Sequence, residues 1–185
     1  MAEENQAAAA GINPEQAASA QFQIQKLYVK DVSFELPNAP EIFQEQGQAD
    51  VKMSLAQRVE DMGENLMEVV LTITVTASIG EKTAYLAEIA QAGIFLVAGF
   101  NEQMKHMVMN TMCPNTLFPY ARRAISAMVS DGGFPPLVLQ PVNFEQLYAK
   151  RMQDMVSQQG GQQGGQQNGT GSTTGDATAE FNTQV

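Results

Sequence analysis

From Leu71 to Ile79 apolar and small polar residues alternate without a break. Val69, Leu71, Ile73, Val75, Ala77 and Ile79 fall on one side; Val70, Thr72, Thr74, Thr76 and Ser78 fall on the other. A period of two over that length fits only a β-strand with one face in a core and one turned outward. Ile79-Gly80-Glu81-Lys82-Thr83 then reads as a hairpin into a second strand, Ala84 to Phe95. On it Tyr85, Ala87, Ile89 and Gln91 share one face, while Leu86 and Glu88 share the opposite one. A chain carrying this hairpin is committed to an antiparallel sheet with one face exposed to water.

Two further strands precede it. Phe22 and Ile24 alternate with polar residues, then the apolar phase shifts to Leu27 and Val29, and again to Val32, Phe34 and Leu36. Each shift predicts a bulge or bend in one long strand, because a register change turns every side chain over. Pro37 and Pro40 end it, and an irregular connection carries Phe43 and Gly47. The second strand is expected around Val51 to Arg58, with Gly63-Glu64-Asn65 as the turn that follows.

After Gly99 the pattern becomes helical. Met104, Met107 and Val108 have i, i+3, i+4 spacing, and a longer helix is expected from about Pro114 to Ser130. Pro114 and Pro119 argue for a break: a proline inside a helix costs ~3 kcal/mol but is tolerated in a first turn. The expectation is a short helix ending at Pro114 and a second one with Pro119 in its first turn. Asp131-Gly132-Gly133-Phe134-Pro135-Pro136 stops the helix, and the apolar loop Leu137 to Val142 follows. Asn143 is a predicted N-cap, with Gln146 three residues on, for a last helix reaching about Ser157. Strands first and helices afterwards give an α+β fold: a four-stranded antiparallel sheet with a long and a short C-terminal helix on one side.

Residues 1–20, rich in Ala and Gln, are expected to form a flexible arm, and residues 21–157 the domain. Residues 158–185 are rich in Gln, Gly, Ser and Thr, too poor in apolar surface to offset ordering entropy, and are predicted to be a disordered tail.

The net charge is −10, and between Asp31 and Glu102 twelve acids face three bases. Such a surface disfavours nucleic acid and anionic membranes as partners and suits a basic protein segment. Cys113 is the single cysteine and His106 the single histidine, so no disulfide, cysteine-rich metal site or histidine-based zinc site is expected. They lie seven apart and imitate a thiol–imidazole pair, but an unpaired cysteine is more often a small core residue. No glycine-rich phosphate loop is present, so neither catalysis nor a cofactor is expected. No apolar run approaches the ~20 residues of a membrane span, and the N-terminus lacks the basic and apolar regions of a signal peptide; the expected location is cytoplasmic. Eleven methionines, several of them on the helices, fit core packing first and a surface that accepts varied partners second; the uncharged loop from Phe134 to Val142 either packs flat on the sheet or forms one wall of a groove for extended, apolar polypeptide.

The block Cys113-Pro114-Asn115-Thr116-Leu117-Phe118-Pro119-Tyr120-Ala121-Arg122 resembles the signature of the SecB family of bacterial export chaperones. Phe22-Gln23-Ile24-Gln25, Lys30 to Glu35, Pro37 to Pro40, Glu68 to Leu71, Val75 to Ser78, Gly93-Ile94-Phe95 and Pro141 to Phe144 match it in order and spacing. The resemblance implies an ATP-independent holdase that binds unfolded precursor proteins, keeps them translocation-competent and delivers them to the SecA ATPase. It implies a homotetramer, a dimer of dimers. SecA docking is implied for Asp31, Glu35, Leu86 and Glu88, and a subunit interface for Tyr85, Ala87, Ile89 and Gln91. For the client groove the expected residues are Phe43, Phe134, Leu137, Val138, Leu139 and Phe144. Gly47 stands where members of the family often carry tryptophan, and Lys82 where an acid is common. Two alternatives remain at this point: a SecB-like chaperone dedicated to a toxin–antitoxin client, or an acidic adaptor without chaperone activity.

Overall fold

The computed structural model describes residues 20–160 and 177–182. Strands β1 (Gln21–Glu35), β2 (Asp50–Gly63), β3 (Leu66–Ile79) and β4 (Lys82–Ala98) are followed by helices α1 (Glu102–Asp131) and α2 (Phe144–Gly160). A short strand, β5 (Ala177–Asn182), completes an antiparallel sheet of order β1-β4-β3-β2-β5. Ala177–Asn182 thus form a strand within the segment whose composition predicts disorder. Residues 161–176, 183–185 and all of the N-terminal arm except Ala20 lie outside the described residues.

The hairpins form where the sequence places them. Glu64 and Asn65 take φ of 54° and 62°, the left-handed pair that a two-residue turn between twisted strands requires. The register of β1 against β4 slips between Ile24 and Lys26 and again between Val29 and Asp31, the two positions where the apolar phase changes. At the second slip Gln91 Nε2 donates to the Tyr28 carbonyl at 2.9 Å, giving a partner to a backbone oxygen beside the bulge.

The inward face of the sheet is closed by α1. Val69, Leu71, Ile73 and Val75 of β3 and Ala87, Ile89 and Phe95 of β4 pack with Val108, Cys113, Leu117, Ile125 and Val129 of the helix. Here the structure corrects the expected break: α1 runs unbroken from Glu102 to Asp131, with both prolines inside it. Pro114 is fully buried, so its ring serves as core surface. Burying Val108, Leu117, Ile125 and Val129, at roughly 1.5–3 kcal/mol each, outweighs ~3 kcal/mol per proline. Side-chain donors also reach carbonyls near the prolines: Gln57 Nε2 to Met109 O at 2.9 Å, and the Thr111 and Thr116 hydroxyls to Met107 O and Met112 O at 2.8 Å.

Pro119 is exposed and contributes little core surface. Pro119→Ala restores an N–H to the helix and should raise unfolding stability by about 1–2 kcal/mol after the entropy it returns to the unfolded chain. Urea denaturation checks this; an unchanged or lower midpoint would show that the proline ring itself is needed.

Both helices begin as their sequences dictate. Asn101 Oδ1 accepts from Met104 N, and Asn143 Oδ1 from Gln146 N, each at 2.8 Å. Helix α1 ends in a Schellman-type turn: Phe134 N donates to Val129 O at 3.2 Å, and Gly133 takes φ of 87°. That turn sends Phe134 back onto Tyr85 and Phe43, with ring centroids 5.1 and 5.3 Å away.

Candidate polypeptide-binding surfaces

On the outward face, Asp31, Ser33 and Glu35 of β1 lie opposite Ala90, Glu88 and Leu86 of β4. Directly opposed residues share a face, so Asp31, Glu35, Leu86 and Glu88 form one patch away from the helices. Asp31 and Glu35 are exposed and Leu86 and Glu88 half-buried. Glu88 Oε2 accepts from Thr74 Oγ1 at 2.7 Å, which fixes one carboxylate oxygen beside Leu86. The arrangement offers carboxylates around one apolar side chain.

At the other end of that face sits an ionic cluster that the sequence did not disclose. Tyr28 reaches across Ala92 of β4 and donates to Glu68 Oε1 of β3. Lys30 donates to the same carboxylate at 2.8 and 2.6 Å, and Arg58 lies 3.6 Å from it. Burial alone would raise Glu68, but the bonds from Lys30 and Tyr28 and the charge of Arg58 outweigh it and hold the carboxyl below its ordinary range. The bond to Glu68, together with burial, pushes Tyr28 up to about 12.

The two groups bracket a pH window. A lowered carboxyl contributes stability above its ordinary value of 4.5 that is lost as pH falls through the folded value. A raised phenol contributes stability below 10.0 that is lost as pH rises toward about 12. Glu68→Gln should therefore flatten the acid limb of the stability curve relative to the native protein. Thermal melts from neutral pH down past 4.5 test this; parallel curves would assign the acid sensitivity to other carboxylates.

Tyr85, Ala87, Ile89 and Gln91 lie on the inward face, each 4% exposed or less within the single subunit. Tyr85, Ala87 and Ile89 belong to the core shared with the helix layer, Gln91 reaches the Tyr28 carbonyl of β1, and burial raises the Tyr85 phenol.

The apolar loop after α1 runs extended, with Leu137 and Leu139 buried and Val138 exposed between them. It forms a ridge between two clefts. One, of about 350 Å³, is walled by Val51 and Met53 of β2, by Leu137 to Asn143, and by Gln146, Leu147 and Lys150 of α2. The other, of about 680 Å³, lies between Leu137, Val138, Pro141 and Val142 and the Phe118, Pro119, Arg122 and Arg123 side of α1. Of the residues expected in a groove, Leu137, Val138 and Leu139 are brought together here. Phe43 and Phe134 form an aromatic cluster with Tyr85, on which Phe34 also stacks at 5.9 Å. Phe144 is 5% exposed and packs edge-on against Phe118, so it anchors α2 to the core. Val51 and Met53 of β2 and Leu147 of α2, which are not among the expected groove residues, also wall the first cleft; which loop would face them depends on how the chain folds back after α1.

Cys113 is wholly buried, and burial pushes its thiol up to about 12, so it stays protonated and inert. His106 faces away, with Nδ1 3.0 Å from the Tyr148 hydroxyl, and so ties α1 to α2. Among the described residues no group of three or more His, Cys, Asp and Glu is placed to hold a metal ion, and no helix is long and apolar enough to cross a membrane.

An acidic sheet face and an apolar, loop-divided cleft on one α+β frame define the class: a protein whose surfaces are arranged for binding polypeptide. Residues 15–155 match the family model described as preprotein translocase subunit SecB. The chain belongs to the SecB family. It is 50% identical over 137 residues to the protein-export protein SecB of Stenotrophomonas maltophilia, covering 74% of this chain and 80% of that one. It is 50% identical over 159 residues to that of Methylococcus capsulatus, covering 86% and 96%. Its fold is similar to a solved Mycobacterium tuberculosis SecB-like chaperone in complex with a peptide from the HigA1 antitoxin. That likeness has a TM-score of 0.53 at 18% identity, over 69% of this chain and 93% of that one.

Proposed function

We propose that this protein is an ATP-independent holding chaperone for protein export. It binds unfolded precursors along the clefts beside Leu137 to Val142, keeps them competent for translocation, and hands them to SecA through Asp31, Glu35, Leu86 and Glu88. It carries out no covalent chemistry and works in the cytoplasm as a homotetramer. The observation that carries this reading is the separation of the two surfaces: the acidic patch lies outward on β1 and β4, while the apolar clefts lie on the helix side. A client and a basic docking segment can therefore be held at once, with the charges steering the encounter and Leu86 anchoring it.

Assembly is supported by β1. It is an edge strand, and it exposes Ile24 at 45%, Val29 at 52% and Val32 at 50%. An apolar edge of that length invites pairing with another copy. Tyr85, Ala87, Ile89 and Gln91 belong to the subunit interface in this reading; Ile89 and Gln91 stand opposite the exposed Val32 and Val29 in the register.

The test mixes the purified full chain with a reduced, unfolded precursor and, separately, with SecA, without nucleotide. Light scattering should give a tetramer mass, and calorimetry binding to both. Binding to neither would leave membership in the family as a matter of fold alone, and a monomer mass would remove the assembly reading.

A further inference from the structure

The family match ends at residue 155, yet Ala177–Asn182 pair with β2 from Lys52 to Gln57. Without β5 that stretch of β2 would be an open edge, with unpaired N–H and C=O groups in a row. It is also the rim of the smaller cleft: Val51 and Met53 line it, and Met53 stands opposite Phe181 in the register. An edge with an apolar cleft alongside is the geometry by which a sheet takes up an extended peptide, backbone bonds supplying affinity and the cleft accepting side chains. The acceptor asks for no particular sequence.

We propose that the β2 edge is a strand-accepting client site and that the C-terminal segment Ala177–Asn182 is its resident occupant, an intramolecular competitor that a client must displace. The inference rests on the client-binding reading above and names the place where the client's backbone pairs. Residues 161–176 join α2 to β5 within one chain. A tether of this kind gives the segment an effective concentration in the millimolar range, so weak pairing suffices to occupy the edge. A client that binds only the free edge has its affinity reduced by the fraction of chains whose edge is free. Short or weakly pairing segments are then refused, and long unfolded chains that also fill the clefts are admitted.

The test keeps the full chain and places prolines at two adjacent positions, Ala179→Pro with Glu180→Pro. N–H groups alternate toward and away from the partner strand, so one of the two prolines removes a donor facing β2. A control carries its prolines at Thr173 and Thr174, ahead of the strand. Two readouts are compared. Amide exchange across Lys52 to Gln57 should quicken about fivefold or more at N–H groups facing β5, while those facing β3 keep their protection. Affinity for reduced, carboxymethylated lactalbumin should rise by a similar factor, since both report the same fraction of free edge. Unchanged exchange overturns the occupancy. Faster exchange with equal lactalbumin affinity overturns the competition. If neither the native chain nor the variant binds lactalbumin, the chaperone reading itself fails and the client site with it, whereas the exchange data still decide whether β5 occupies the edge.

Discussion

Glu88→Lys is expected to weaken SecA binding at least tenfold, about 1.4 kcal/mol, while tetramer mass and client affinity stay as they are. Glu88 sits between Ser33 of β1 and Thr74 of β3, with one oxygen held by the Thr74 hydroxyl. A carboxylate fixed in place meets a basic segment without first losing side-chain freedom, which is why its loss costs more than that of a free surface acid. Lysine reverses the charge beside Leu86 and leaves Thr74 with a donor where it had an acceptor. The inward face is untouched, so the clefts keep their shape. Asp154→Lys on α2, an exposed position far from the patch, makes the same change in net charge. Calorimetric titration of SecA into both variants distinguishes a docking site from general attraction. Equal losses would reduce the patch to bulk charge, and an unaltered Glu88→Lys affinity would remove it.

Leu117→Ala is expected to lower unfolding stability by about 2–5 kcal/mol. Leu117 is completely buried midway between Pro114 and Pro119, against the inward face of β3 and β4. The helix there lacks two backbone donors and persists because its buried side holds it to the sheet. Truncating that side chain should do more than leave a cavity: amide exchange from about Thr111 to Ala121 should quicken before the rest of the fold opens. Leu71→Ala, an equally buried truncation on β3, provides the comparison and should not release the helix selectively. A loss under ~1 kcal/mol for Leu117→Ala, or identical exchange in α1 for both variants, would mean the prolines need no such support.

The sheet was legible because its signals are local. Alternation along Leu71 to Ile79 specifies strand and facing at once, and the phase changes near Lys26 and Val32 reappear as slips in the β1–β4 register. That Asp31 shares a side of its strand with Glu35, and Leu86 with Glu88, was legible for the same reason, since residues two apart on a strand share a side; that the two pairs join in one patch was implied only by the family resemblance and follows from the β1–β4 pairing. Helix α1 was misread at its prolines because a propensity is a property of the segment, whereas Pro114 is buried by β-strands distant in sequence. The surroundings of Phe144 were not legible for a similar reason. Its apolar character was evident, but whether it faced a groove or Phe118 depended on how α2 folds back.

By itself, then, the sequence determined the α+β order, the antiparallel hairpins, the cap at Asn143 and the excess of acids between Asp31 and Glu102, all encoded within a few residues of chain. Only the tertiary structure decided that two prolines ride in one helix, that Tyr28, Lys30 and Arg58 converge on Glu68, and that the loop from Leu137 to Val142 divides two clefts. It also decided that Ala177–Asn182, too poor in apolar surface to order itself, forms a strand. The reason is the same in each case: the partner that makes the conformation favourable lies far along the chain, and its free energy appears only when folding brings the two together.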